Sequence, residues 1–257
     1  MYRSNARCEA STWDETAGIV SLEAVTAGYF GVVPSRPPSW LDDRYVGASL
    51  VSLDRELVAM VPGPAWTTSS VDVDLAKVGV PESDVSAATA WLDEAWRRGD
   101  VLYPNVFRAP SVLDDFLDRF APESPVVIIG AALDGDDLDG FLSDHDAQIR
   151  WRDGIIDLLR RAEPLAPGYR RLGYEPVEVA VGGFGTSWTI QGLQPAVEAA
   201  TGVVPNGDGF VSTRDEARAV MGYLWQPDVP KEPGLWRAWQ IVSYPRHPPR
   251  SSDSGRS

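Results

Sequence analysis

The sequence predicts the α+β class, with helices packed on a mainly antiparallel or mixed sheet, and three observations carry that prediction. Helical and strand-like periodicities interleave along the chain, but not in the strict β-α order with Gly-rich turns that builds a doubly wound sheet. The strand candidates are short alternating or β-rich runs. The composition of the 257 residues, 44% hydrophobic and 23% charged, is that of an ordinary globular protein, and a chain of this size buries most of its apolar surface without disulfides or metals.

The elements follow in chain order. Residues 1–12 are polar and expected to fray; residues 13–245 are read as one globular domain. The Pro-punctuated turns SRPPSW (35–40) and VPGPAW (61–66) are candidates for a subdomain edge, the latter near 62–82. Strands are expected at 45–53 and 57–61, with Asp54-Arg55-Glu56 turning them into a hairpin. From Asp84 to Arg98 the apolar residues Val85, Ala88, Trp91, Leu92, Ala95 and Trp96 share a helical face, and Gly99 can close the end. Ser111 with Asp114 three residues on reads as a capping box before Val112, Leu113, Phe116, Leu117 and Phe120. Further helices fit 152–162, 193–200 and 214–225, the last after a Thr213…Glu216 box. Further strands fit 126–130, 174–181, 187–191 and 235–242. The closing RHPPRSSDSGRS, residues 246–257, reads as a disordered tail.

A net charge of −14 repels phosphate backbones, so nucleic-acid binding is not expected, whereas a basic protein would be attracted and its encounter speeded. Solubility alone is the plainer reason for such acidity. Cys8 is the single cysteine, which leaves no disulfide framework and no multi-cysteine metal site. The start has no apolar leader and the longest apolar runs, such as PVVIIGAAL, are too short to span a bilayer, so no membrane association is expected and the expected location is the cytoplasm.

One stretch looks chemical: GGFGTSW, residues 182–188, after the alternating YEPVEVAV. It lacks the third glycine of a dinucleotide fingerprint and the lysine of a P-loop. It matches only the first half of a G-x-S-x-G nucleophile elbow. Ser187, Asp208 or Asp228, and His247 run in hydrolase order, but RHPPR offers little to hold an imidazole. The expected role is therefore a hairpin connection.

The most acidic stretch is LDGDDLDGFLSDHD, residues 133–146, with aspartates at 134, 136, 137, 139, 144 and 146. It fails the EF-hand spacing, and a solvated helix start explains it more simply than a metal site. The six arginines of the following RWRDGIIDLLRRAEPLAPGYRR are expected to pair with neighbouring acidic segments. Few histidines, lysines and cysteines count against many enzyme classes; paired carboxylates remain an open catalytic kit, with no pair selected.

The segments LYPNVFR, GYEPVEVAVGGFGTSW, NGDGFVSTRDEARAV and EPGLW resemble a family of uncharacterised bacterial proteins over roughly residues 101–244. The loop of that family reads Gly-Gly-Phe-His-Ser-Trp; Gly185-Thr186 stand here where its histidine would fall, so the resemblance implies a structural or binding role for the loop rather than a catalytic one. In character the chain also resembles the immunity partners of bacterial toxin systems. The leading expectation is an acidic protein-binding protein without catalysis, such as an immunity factor for a basic toxin. Asp134, Asp136, Asp137 and Asp139 would form its rim, with Phe184, Ser187 and Trp188 at the contact. No metal or cofactor is expected. The alternative is a hydrolase using paired carboxylates, with a divalent cation at the Asp cluster.

Overall fold

A computed structural model describes residues 24–34, 38–54, 58–63, 74–149, 154–180 and 183–246, the side chains of 48–50 excepted. The start expected to fray, the tail beyond Arg246, most of the expected 54–56 turn and the stretch 64–73 lie outside the described residues. Among the described residues eight strands form one antiparallel sheet: β1 (Ala24–Val33), β2 (Ala59–Met60), β3 (Val101–Leu102), β4 (Val106–Phe107), β5 (Val127–Asp134), β6 (Arg170–Ala180), β7 (Gly183–Ser187) and β8 (Leu235–Tyr244). Their spatial order is β3-β4-β1-β5-β8-β6-β7, with β2 also on β1. The helices named within the described residues are α1 (Val46–Val51), α2 (Val85–Arg98), α3 (Pro110–Phe120), α4 (Gly135–Gln148), α5 (Ile155–Arg161), α6 (Gln194–Thr201) and α7 (Arg214–Leu224). The chain is thus α+β, as its periodicities predict.

The strands are buried on both faces, and alternation sorts their side chains between separate cores. Trp239 and Ile241 of β8 point with Val25, Phe30, Ile129 and Leu133 into a core closed by α4 and α5. Val242 and Tyr244 point the other way, with Tyr29 and Ile128, against α2 and α3. Further along that second face Trp236 and Tyr174 meet Tyr45, Trp188 and the inner side of α6 and α7.

The helix signals translate well where they are local. α2 ends on Gly99 at φ 76°, a left-handed cap that a glycine adopts without strain. At α7 the Thr213 side chain accepts from the Glu216 N–H and the Glu216 carboxylate accepts from the Thr213 N–H, the reciprocal box the sequence spells. Thr213→Ala is expected to cost about 1 kcal/mol, read as a shift in urea midpoint. At α3, by contrast, the helix starts on Pro110 with Ala109 as its cap, and Asp114 turns inward at 9% exposure. Pro110 at the first helical position removes one of the orphan N–H groups of the helix start and presets its φ.

Three strand expectations are corrected. Residues 45–53 do not form a strand: Asp42 accepts from the Arg44 N–H, opens a short 3-10 turn at Asp43–Tyr45, and α1 follows. β2 accordingly pairs with β1 rather than with that segment. The strand expected at 187–191 is instead Gly183–Ser187, paired Ala180↔Gly183 with β6, and the chain turns over 188–192. Gly183–Ser187 of GGFGTSW is therefore a strand paired back on β6, and Gly182 lies outside the described residues.

Candidate functional site

β5 pairs with β8 only as far as Ala132↔Gln240. The chain then leaves the sheet at Asp134 and enters α4, so β8 from Ala238 back to Leu235 has no β5 neighbour. α7 covers β6 and β8 from the other side. Between α4 and α7 this leaves a cleft of about 380 Å³. Leu133, Phe141, Ala217, Met221 and Trp225 give it apolar walls, and Asp134, Asp137, Tyr174, Arg214 and Arg218 bring charge and hydrogen-bonding capacity.

The polar groups are organised around Asp134, the last residue of β5 and 6% exposed. Its carboxylate accepts from the Tyr174 hydroxyl at 3.3 Å and is paired with Arg214 Nε at 2.6 Å. Arg214 forks to Asp136 at 2.9 Å through its other arm. Burial raises the Asp134 pKa, and the neighbouring Asp137 carboxylate adds to the rise; Arg214 and the Tyr174 hydrogen bond only partly offset it. The rear wall is fixed by Arg237. Its guanidinium lies over the rings of Phe141 and Trp225 at 5.5 and 5.4 Å, pairs with Asp144 at 2.6 Å and donates to the Trp236 carbonyl at 2.8 Å. A cation held on four sides braces α4 and the Trp225 turn against β8 rather than offering a free charge.

Three of the four aspartates singled out by the sequence, Asp134, Asp136 and Asp137, therefore share one cleft. Asp139 is exposed on α4. Four of the six acidic groups of 134–146 are engaged by the chain's own arginines: Asp134 and Asp136 by Arg214, Asp144 by Arg237, Asp146 by Arg160 at 2.5 Å. Asp137 and Asp139 have no ion-pair partner among the described residues. His145 is fully buried, its ring 6.2 Å from that of Phe141, and no three His, Cys, Asp or Glu groups among the described residues are arranged to hold a metal ion.

The other three sequence candidates lie elsewhere. Phe184 is wedged between Phe30 and Trp239, with centroids 5.5 and 4.8 Å away, and Trp188 packs edge-on against Tyr45 at 5.9 Å. Both rings belong to the core and present no surface to a partner. Ser187 is fully buried, and its N–H donates to Asp54 at 2.6 Å. Asp208 of the hydrolase-order triad is paired with Arg170 at 2.8 Å, while His247 lies outside the described residues.

Sequence reasoning missed a second polar centre. Glu175 is 1% exposed; its carboxyl accepts from the Ser52 hydroxyl and from the Leu53 N–H at 3.0 Å. Burial pushes its pKa up to about 8, against the lowering effect of those two donors, and the nearby Asp54 carboxylate adds to the rise. On the opposite face of β6, Glu178 lies where a Cβ on either Gly185 or Gly234 would collide with its carboxylate, 2.0 Å away in each case. Three positions apart in one strand, the two glutamates of YEPVEVAV point to opposite faces, and nothing in the local pattern shows that a neighbouring segment closes over each.

No helix of the described residues is long and apolar enough to cross a membrane. In comparisons with family models, curated proteins and solved structures, nothing matches the chain.

Proposed function

We propose that the protein acts by binding, and that the α4–α7 cleft receives a cationic group on an apolar stem, the chemistry that a lysine or arginine of a basic protein partner supplies. The observation that carries this reading is Asp137. It is half-buried on the cleft wall without an ion-pair partner among the described residues, while most of its acidic neighbours are satisfied internally. A cation placed there would meet Asp137 and the inner edge of Asp134, and its stem would lie on Met221 and Phe141. The net charge of −14 would steer such a partner towards the surface. Neutralisation of a basic toxin is the form of this function that the charge favours.

The test is calorimetry with a defined arginine-rich peptide at low and at physiological salt. Asp137→Asn should weaken binding at least tenfold, since a partly desolvated charge pair is lost. Asp139→Asn, on the exposed side of the helix, should change affinity less than threefold. Equal effects of the two substitutions, or no peptide binding at low salt, would reject the cleft as the site. A paired-carboxylate hydrolase is the second reading, favoured by the raised pKa of Asp134 beside Asp137. Hydrolysis of a chromogenic ester or glycoside that Asp134→Asn abolishes would support it.

A further inference from the structure

Residues 38–54 pass from one core to another. Tyr45 packs with Trp188 and Trp236, whereas Leu53 belongs to the core beneath α4 and α5. At its start the segment is tied on the surface, by Arg44 to Glu198 at 2.7 Å. At its midpoint Gly47 lies so close to the Asp208 backbone that a Cβ would stand 2.3 Å from the Asp208 carbonyl oxygen. Its far end is tied internally by polar groups: Ser52 and Leu53 donate to Glu175 of β6, the Asp54 N–H donates to Ser52 Oγ at 3.0 Å, and the Ser187 N–H of β7 donates to Asp54 at 2.6 Å. Ser52, Asp54 and Ser187 are fully buried and Glu175 all but fully.

We propose that Glu175 is a pH-operated latch: protonated, its carboxyl holds Ser52–Asp54 against β6 and β7, and its ionisation releases that end of the segment. The geometry makes the two states unequal. A neutral carboxyl accepts from the Leu53 N–H through one oxygen and, through the other, donates its own proton to Ser52 Oγ, so it brings no charge into the buried site. A carboxylate would sit there beside Asp54. The other charged and titratable groups of the surrounding elements are otherwise committed. Arg237 of β8 is paired with Asp144 of α4, and His145 of α4 stands behind Phe141, itself packed on Trp239. Trp239 is the cross-strand neighbour of Glu175 on β8. β7 contributes only the neutral Thr186 and Ser187. Arg55 and Glu56 follow Asp54 in the chain, outside the described residues. No cation among the described residues is in place to hold the ionised form.

Opening of the segment returns Glu175 to water and to an ordinary glutamate pKa. The opening equilibrium therefore grows by about tenfold per pH unit between the ordinary value and the raised one, and levels off above it. The test is hydrogen exchange on the full chain at pH 5.5 and 7.5, with rates normalised to intrinsic exchange and the amides of α3 as internal reference. Protection of the Leu53, Asp54 and Ser187 amides should fall up to roughly 100-fold relative to α3, and Glu175→Gln, an uncharged isostere of the protonated acid, should make it independent of pH. The same protection at both pH values, or a loss shared equally with α3, would overturn the latch. So would a Glu175→Gln protein that loses protection as the wild type does. Should that variant not fold, the wild-type comparison with α3 decides the matter alone.

Discussion

Gly173→Ala should destabilise the protein by roughly 3 kcal/mol or more, through backbone strain and steric overlap together, and should dismantle the Asp134 end of the cleft. Gly173 sits in β6 at φ 147°, where the pairing with β8 slips by one residue. A Cβ there would lie 2.5 Å from the Val211 carbonyl oxygen and 2.7 Å from the Phe210 Cβ. Both obstacles are fixed. Val211 exchanges two backbone hydrogen bonds with Tyr174, at 2.7 and 3.0 Å, and Phe210 is buried in the core. The Asn206 side chain donates to the Leu172 carbonyl at 2.7 Å and accepts from the Asp208 and Phe210 N–H groups, which holds the 206–211 turn against the strand. The slip at Gly173 is thus what brings Val211 onto β6 and aims the Tyr174 hydroxyl at Asp134. Urea denaturation measures the loss, and weakened binding of the cationic peptide in any folded fraction reports the damage to the cleft. Gly222→Ala is the control: Gly222 lies within α7 with nothing within 4 Å of an added Cβ, so alanine should stabilise by roughly 0.5–1 kcal/mol. A Gly173→Ala protein as stable as the wild type would mean that the turn can move away from the strand.

That contrast shows which parts of the molecule are legible in the chain. α2, α3 and α7 announce themselves because their instructions are local: an apolar stripe, a terminal glycine, a capping box. The segment at 45–53 alternates well enough to read as a strand, yet it becomes helical because Asp42 caps its start and Tyr45 has a place to dock on Trp188, 143 positions away. β1 escapes notice because it is buried on both faces and so lacks alternation: AVTAGYFGVV is an apolar run interrupted by glycines. The cleft is half legible. The Asp cluster stands out by composition, but its arginines come from α7 and β8, about 80 and 90 residues away, and only the folded sheet brings them together. Glu175 is the extreme case: it shares a strand face with the core residues Val177 and Val179, but a carboxylate there has no evident partner until the Ser52–Asp54 segment is seen to cover it.

Between pH 5 and pH 8 the protein should lose stability rather than gain it, the reverse of ordinary acid denaturation. In most proteins paired carboxylates have lowered pKa values, and folding is weakened as they are protonated. Here Asp134, Glu175 and Glu178 are all raised, in each case chiefly by burial. A raised carboxyl holds its proton in the folded state at a pH where the unfolded chain has released it. Its stabilising contribution is complete below the ordinary carboxyl range and is lost as the pH climbs to the folded-state value. For Glu175 that window runs from about 4.5 to about 8, and the loss across it amounts to roughly 4–5 kcal/mol. Self-repulsion of a chain at −14 moves the same way, because each proton taken up on acidification reduces the net charge. Denaturant midpoints measured every half pH unit should therefore peak near pH 5 and decline towards pH 8. Glu175→Gln should flatten most of that decline, raising stability at pH 8 while changing little at pH 5. A wild-type midpoint that rises over this range would show that Glu175 is ionised in the native protein, and would require water or a cation within the Ser52–Asp54 contact. The hydrogen-exchange comparison separates the two scales of the effect: denaturant midpoints read the cost to the whole fold, and the amides of residues 52–54 read the latch.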